Sequence, residues 1–389
     1  MLKEAGPQGL ASALKASGAL TSDWLPTFHA VPRELFIPDR IWPGIADGTK
    51  QNPLVSRAAE PKAWQQAVYS DVPLTTQWDD GEHHGDGLGT TPSSSNSMPT
   101  MVFEMLQDLD VHAGATALEI GTGTGWNAAL LTHRLGDANV TSVEYDPAVA
   151  EGAIENLSQA GHHPTVVVGD GRDGWVAGAP YDRVIATCSM LRIPPAWLAQ
   201  SKPGGIIVAP LGTEYGGEYI VRLVVGEDGS ASGRFTRGSA FMRLRQQRTE
   251  RPLVDAYLHG EPWPADGVKS TTTLAPPDTG SWLALFAIGM QVPGAFWRAE
   301  RYEDGAYTLW LYSRDTKSWA TADYEKGRTE YEVVQSGPRR LWDEVATAWQ
   351  WWADHERPDF SRFGLTVTAD GDHRFWLDEP DNAVGAAVR

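Results

Sequence analysis

Three glycines at alternate positions, Gly121, Gly123 and Gly125, stand in the run Leu118-Glu119-Ile120-Gly121-Thr122-Gly123-Thr124-Gly125-Trp126-Asn127. A short apolar stretch precedes the run and a helical pattern follows it. Glycine lets backbone approach a ligand with no Cβ in the way. The N-terminus of the next helix adds free N–H donors and the positive end of its dipole. Such a loop can hold a pyrophosphate or a carboxylate. A dinucleotide fingerprint, G-x-G-x-x-G, requires glycine at its sixth position, where this chain has Trp126. The spacing G-x-G-x-G suits the methionine carboxylate of S-adenosylmethionine instead. Glu144 ends the next strand, in Val143-Glu144-Tyr145-Asp146, where a carboxylate can accept both hydroxyls of a ribose. Asp170 ends the third, in Val168-Gly169-Asp170-Gly171, where it can accept from an adenine amino group. Either acid alone could be a turn residue at a strand end. A glycine loop, an acid and an acid on three successive strand ends point to one nucleoside-bearing ligand. The expected cofactor-binding set is Glu119, Gly121, Thr122, Gly123, Gly125, Trp126, Glu144, Tyr145, Asp170, Gly171 and Thr187.

Those residues need a scaffold that sets strand ends side by side. The pattern predicts strands over Ala115–Ile120, Val140–Glu144, Thr165–Val168, Arg183–Thr187 and Ile206–Ala209, with helices over Asn127–Leu135 and Pro147–Ala160 between them. Such alternation implies βαβ units and a parallel sheet, an α/β fold. Tyr219–Val225 and Gly233–Arg245, split by Glu227-Asp228-Gly229-Ser230, read as an antiparallel hairpin at the sheet edge. Upstream, the Gly- and Ser-rich stretch Asp79–Ser97 reads as a loop, and Met101, Val102, Met105 and Leu106 mark an amphipathic helix from Met98 to about Val111. Downstream, β-like runs cover Trp282–Met290, Tyr307–Tyr312 and Phe363–Val367. A helix over Pro338–His355 carries Trp342, Val345, Trp349 and Trp352 on one stripe, the pattern of a face packed on a sheet. The expected organisation is an N-terminal region 1–97, a core 98–246, a Pro/Thr/Asp/Gly-rich linker 247–280 and a Trp-rich α+β domain 281–389.

Composition narrows the partners. Among 389 residues, 50 acidic and 32 basic side chains give a net charge of -18. That argues against a general nucleic-acid binder, which carries a basic face. No apolar run approaches the ~18 residues of a membrane span. The single cysteine, Cys188, cannot form an intrachain disulfide and fits a reducing compartment, so a cytoplasmic location is expected. Cys188 reads as a small buried residue. His83-His84 and His162-His163 read as loop and turn residues, so no metal site is expected. Oligomeric state is not legible.

Several stretches resemble the protein-L-isoaspartate O-methyltransferase family. They are Val31-Pro32-Arg33-Glu34-Leu35-Phe36-Ile37-Pro38, Tyr69-Ser70-Asp71-Val72-Pro73-Leu74, the loop Leu118 to Asn127, Gly169-Asp170-Gly171-Arg172-Asp173-Gly174-Trp175 and Tyr181-Asp182-Arg183-Val184-Ile185. Ile193-Pro194-Pro195, Lys202-Pro203-Gly204-Gly205 and Phe241-Met242-Arg243-Leu244-Arg245 continue the match, in the family's order, over about 25–246. The resemblance implies a Rossmann-like class I methyltransferase sheet, here with an additional C-terminal α+β domain. It implies S-adenosylmethionine as donor, S-adenosylhomocysteine as product, and an aspartyl or isoaspartyl carboxylate of a peptide or protein as acceptor. The family carries a serine near the acceptor just before the first core helix. In Thr91-Pro92-Ser93-Ser94-Ser95-Asn96-Ser97-Met98-Pro99 the resemblance places it at Ser94, with Ser95 the second choice in the serine run.

Three departures bear on the substrate: residues 39–66 look expanded, Trp78 to Thr91 adds charged residues, and some 140 residues follow the core. In its C-terminal extension the chain resembles a subgroup that methylates an aspartate in ribosomally made, cyclised peptides, whose ester collapses to aspartimide. General isoaspartyl repair is the alternative, and a non-catalytic peptide-binding scaffold is the alternative of another class. An aspartate with pKa near 3.9 is already ionised at pH 7. No histidine or lysine base is therefore expected; the chemistry asks for in-line positioning and exclusion of water.

Overall fold

The structure, a computed structural model, describes residues 6–44 and 52–388. Part of the expanded stretch 39–66 thus lies outside the described residues. Near the N-terminus, β1 (Arg40–Pro43), β2 (Val55–Ser56), β3 (Leu74–Trp78) and β4 (Pro92–Asn96) form a small antiparallel sheet in the order β2-β1-β3-β4. The composition of Asp79–Ser97 predicts a loop, yet its end is β4. Pairing with β3 satisfies the backbone there, and that partner is not visible in local composition. A helix over Pro99–Leu109 follows and buries Val102, Phe103, Met105, Leu106 and Leu109.

The core sheet begins with β5 (Ala117–Ile120), β6 (Val140–Glu144), β7 (Thr165–Val168), β8 (Tyr181–Ala186) and β9 (Ser201–Gly212), all parallel, and continues with antiparallel β10 (Glu218–Val225) and β11 (Ala231–Gly238). Helices Trp126–Leu135 and Pro147–Gln159 join β5 to β6 and β6 to β7. β5 pairs with β6 on one side and β8 on the other. Chain order reverses at β5, so a crevice opens beyond its carboxyl end, where the glycine loop sits.

A second, antiparallel sheet contains β12 (Val268–Thr272), β13 (Ala295–Arg301), β14 (Tyr307–Ser313), β15 (Trp319–Tyr324) and β16 (Tyr331–Ser336), in the order β12-β16-β15-β14-β13. The last strands, β17 (Phe363–Val367), β18 (His373–Leu377) and β19 (Ala383–Val388), return to the core sheet through β11. The full order is β19-β18-β17-β11-β10-β9-β8-β5-β6-β7. Three expectations change. The β10–β11 hairpin lies inside the sheet, not at its edge. The segment 247–280 contributes β12 and is more than a linker. Residues 281–389 are shared between the two sheets.

Trp282–Met290 predicts a strand but Trp282–Gly289 is a helix. Its residues Ala284 to Gly289 are all buried, and an element apolar on every side shows neither period. Phe286 packs on Tyr219 and Phe235 of the core sheet, while Leu285 and Ile288 join the core of the second sheet. The helix Leu341–Asp354 buries Trp342, Val345 and Trp352 and leaves Trp349 half-buried. Among the described residues no helix is long and apolar enough to cross a membrane.

Candidate functional site

Strand β5 delivers the chain into a turn that only glycine makes without strain. Gly121, Gly123 and Gly125 have φ of 91°, 54° and 92°. Space is short as well: a Cβ on Gly123 would lie 3.2 Å from the carbonyl oxygen of Ser95, and one on Gly121 would lie 2.9 Å from Thr187 Oγ1. The Thr187 hydroxyl donates to the Gly121 carbonyl at 2.5 Å and so pins the loop from β8. Glu119 and Thr122 place their side chains beneath the loop rather than in the crevice. Asn127 Nδ2 and Ser142 Oγ donate to the Glu119 carboxylate at 2.7 and 2.5 Å, and Ser142 Oγ also meets Thr122 Oγ1 at 2.6 Å. Burial pushes the Glu119 carboxyl up to about 7, against the pull of those donors. Trp126 turns its ring into the core, against Phe103 and below Arg33, leaving its backbone at the helix start.

Glu144 reaches back from β6. Its Oε2 accepts from Gly123 N at 2.9 Å and its Oε1 from Asp146 N at 3.1 Å, leaving a second lone pair on each oxygen. Burial raises its pKa. Tyr145 beside it is exposed, with its ring under the Arg245 guanidinium at 5.5 Å. Asp170 follows β7, and Arg172 donates to it from Nη2 at 2.7 Å and from its backbone at 2.9 Å. Partial burial raises the Asp170 pKa, but the Arg172 bonds outweigh it and hold the carboxyl below its usual range. Gly171 packs closely on β5, where an added Cβ would fall 2.6 Å from Ile120 Cγ2.

The serine run divides by strand alternation. Ser94 and Asn96 are buried, whereas Ser93, Ser95 and Ser97 are half-buried. Ser94 Oγ accepts from Thr76 Oγ1 at 3.3 Å, and Ser93 Oγ donates to Gln77 Oε1 at 2.8 Å. The Ser95 and Ser97 hydroxyls make no hydrogen bond among the described residues. Ser95 also abuts Gly123, so the geometry brings Ser95 to the loop and turns Ser94 inward. Two supports carry no assigned role in the sequence reading, Arg33 and Asn96. Arg33 is 1% exposed and donates to Asn96 Oδ1 at 2.7 Å and to the carbonyls of Val68, Ser70, Val72 and Ser97 at 2.9–3.1 Å. Burial lowers its pKa to about 9. Asn96 Nδ2 then donates to Thr124 Oγ1 at 2.9 Å. Arg33 stands in the stretch Val31 to Pro38 and Asn96 in the serine run Thr91 to Pro99, and membership of those stretches is the one signal either carries.

A clamp crosses the crevice. Arg245 pairs with Asp146 at 3.0 Å and with Asp80 at 3.1 Å, and Gln77 Nε2 donates to Asp146 at 3.1 Å. Arg248 also pairs with Asp80 at 2.8 Å. The added segment after Trp78 is thereby tied to the loop that carries Glu144. Cys188, behind the glycine loop, is half-buried, and desolvation of its thiol pushes it up to about 12, which makes it a poor nucleophile.

The glycine turn, the lone pairs left on Glu144 and the acid after β7 are the kinds of group that S-adenosylmethionine asks for, while Glu119, Thr122 and Trp126 support the loop from beneath. A Cβ at Gly123 would fill that cradle. A crevice at the β5 switch point with this donor order defines a class I S-adenosylmethionine-dependent methyltransferase. A model of the protein-L-isoaspartate(D-aspartate) O-methyltransferase family matches residues 54–249, half of the chain. Protein-L-isoaspartate O-methyltransferases of Ignicoccus hospitalis and Pyrococcus horikoshii are 32% and 36% identical over 201 and 163 residues, 51% and 42% of this chain and 78% and 74% of theirs. A solved structure bearing the same name aligns over 96% of this chain and all of its own, with a TM-score of 0.54 and 19% identity, a likeness of fold. The chain belongs to the protein-L-isoaspartate O-methyltransferase family. It is an S-adenosylmethionine-dependent carboxyl O-methyltransferase.

Proposed function

We propose that the acceptor is an aspartyl or isoaspartyl carboxylate of a peptide, and that the preferred substrate is one ribosomally made, cyclised peptide whose methyl ester closes to an aspartimide. The observation that supports this reading is the second sheet, anchored to the core by the buried helix Trp282–Gly289 and by the return of β17–β19 to β11. A second ordered layer packed on a catalytic core is a common way to enlarge a ligand site. General repair of isoaspartyl proteins is the second reading, favoured by the names of the relatives. The chain is taken to act in the cytoplasm, on peptides rather than nucleic acids.

Bound S-adenosylmethionine supplies an electrophilic methyl group on a sulfonium. Gly121 to Gly125 and Glu144 would hold it, with Asp170 at the adenine. The Ser95 hydroxyl, joined by Ser97, would donate to the carboxylate oxygen that does not react and so orient the other oxygen toward the methyl group. The carboxylate is already ionised, so no residue has to take a proton. That oxygen would take the methyl group, the carbon–sulfur electron pair remaining with sulfur. After release, the substrate's next backbone nitrogen attacks the ester carbonyl, and its proton leaves with methanol. The test offers the full chain an isoaspartyl peptide, its aspartyl isomer and a cyclised aspartyl peptide, and follows ester and imide by mass spectrometry. Ester on the cyclised aspartyl peptide supports the preferred reading; ester on isoaspartyl peptides alone supports repair. Ester on none would overturn both.

A further inference from the structure

The loop after β8 runs from Thr187 to Pro194 and leads into the helix Pro195–Ala199. Its first half belongs to the sheet and the glycine turn. Thr187 pins Gly121, and Met190 is fixed on β9, its N–H donating to the Pro210 carbonyl at 3.0 Å and its carbonyl accepting from Gly212 N at 2.9 Å. The next three residues are held differently. Leu191, Arg192 and Ile193 offer consecutive amides, and each goes to a side chain from far along the chain. Leu191 N and Arg192 N donate to Gln247 Oε1 at 2.7 and 2.9 Å, and Gln247 Nε2 donates back to the Arg192 carbonyl at 2.8 Å. Ile193 N donates to His373 Nε2 at 3.0 Å, across 180 positions of sequence. Pro194 and Pro195 follow, so the next two positions have no amide to replace that donor.

His373 opens β18 in the hairpin β17–β18, which joins the core sheet through β11. The turn of that hairpin lies on the same loop. Arg192 Nη2 donates to the Gly371 carbonyl at 2.7 Å, and a Cβ on Gly371, whose φ is 87°, would fall 2.5 Å from Pro195 Cγ. His373 and Ile193 are each 1% exposed. Burial and then the Arg192 charge lower the His373 pKa to about 3. The ring is therefore neutral, with the lone pair on Nε2 and the proton on Nδ1. A side chain that cannot accept at this point leaves a buried N–H unpaired, and the loop has to open to water to satisfy it.

The groups assigned to the cofactor stand at the ends of β5, β6 and β7. β8 lies on the other side of β5 from β6, so its end is the one left to the acceptor at the switch point. Gln247, the other anchor of the loop, stands two residues after Arg245, which spans the crevice to Asp146 and Asp80. We infer that His373 is a positioning residue for methyl transfer: through Ile193 it sets the loop after β8 that seats the peptide acceptor, so the C-terminal strands complete one wall of the crevice. This assignment rests on the peptide acceptor proposed above. Met190, bonded to β9 through both its amide and its carbonyl, separates this part of the loop from Thr187. The effect of His373 therefore falls on the acceptor and not on the cofactor.

The test compares the full chain with H373A, H373N and H373Q. A glutamine oxygen reaches the place of Nε2, whereas asparagine, one methylene shorter, falls short of it. Amide exchange with deuterium is read by mass spectrometry on the chain loaded with S-adenosylhomocysteine. Steady-state kinetics follow methyl transfer to an isoaspartyl peptide and to a cyclised aspartyl peptide. In H373A and H373N, exchange over residues 188–194 should speed about tenfold and KM for the peptide should rise about tenfold. Exchange over residues 119–126, S-adenosylhomocysteine affinity and kcat should stay within about twofold. H373Q should bring loop exchange and KM back to within about threefold of the unaltered chain. S-adenosylhomocysteine affinity reports that a variant is folded; if H373A loses it, H373N and H373Q decide. Loss of that affinity in these two as well overturns the inference, because His373 then serves the fold as a whole. Unchanged exchange over residues 188–194 overturns it too, as does an unchanged KM beside a loosened loop, or equal behaviour of H373N and H373Q. Absence of methyl transfer to both peptides by the unaltered chain counts against the proposed function alone, and loop exchange, read without turnover, then decides the role of His373.

Discussion

Asn96 donates to Thr124 across 2.9 Å, and this bond joins the strand that carries Ser95 to the loop that would hold the cofactor. Its other amide atom accepts from the buried Arg33. Donor and acceptor sites are therefore positioned by one side chain. Replacing it with alanine leaves the Thr124 hydroxyl and one Arg33 donor unpaired, at a cost of about 1–3 kcal/mol. Asn96→Ala should lower kcat for methyl transfer about tenfold or more while changing cofactor affinity less. Steady-state kinetics beside calorimetry checks this, and an unchanged kcat would separate the two sites.

Glu144 and Asp170 are expected to carry cofactor affinity. Glu144→Ala also orphans the Gly123 N–H, so it should cost more than Asp170→Ala, whose carboxylate is held by Arg172 in the present arrangement. Each loss should lie near 1–3 kcal/mol by calorimetry. Unaltered affinity in both variants would remove the nucleoside assignment.

The serines can be ranked. Ser95→Ala and Ser97→Ala should each slow transfer about tenfold with cofactor affinity preserved, because their hydroxyls are free to hold a carboxylate. Ser94→Ala should alter turnover little, since its hydroxyl is used by Thr76. Kinetics showing the reverse order would move the acceptor to the other face of β4.

Arg245 spans the crevice between Asp146 and Asp80. These ion pairs are partly solvated, so each is worth little to stability, but together they tie the added segment over the loop of Glu144. Arg245→Met should speed cofactor dissociation severalfold and flatten its salt dependence, measured by stopped flow. If the rate does not move, the clamp does not control access.

The strand-end chemistry was legible because each element of it is local: a glycine turn, an acid after β6 and an acid after β7. What escaped depends on partners far along the chain. Asn96 matters only through Arg33 and Thr124, and β17–β19 find β11 across more than a hundred residues. The helix Trp282–Gly289 was misread because burial on all sides erases the helical period. The family resemblance points to Ser94 ahead of Ser95; only the pairing of β4 with β3 decides which hydroxyls turn inward.

Glu119 supplies a pH signature. Its carboxyl stands at about 7 in the folded chain because it is buried, while the unfolded chain has the ordinary value of 4.5. The folded state therefore holds a proton there that the unfolded state has lost. The associated stability is fully present below pH 4.5 and is lost as pH rises toward about 7, after which the dependence flattens. Glu119→Gln has no such titration and can still accept from Asn127 and meet Ser142. Urea denaturation of both proteins from pH 5 to pH 8 should show the variant gaining on the parent up to about pH 7 and then keeping a constant offset. The cofactor should still bind the variant, because Glu119 supports the loop from below and does not line the crevice. A constant offset across the whole range would mean that Glu119 is ionised throughout, and loss of cofactor binding would put its carboxylate in the site itself.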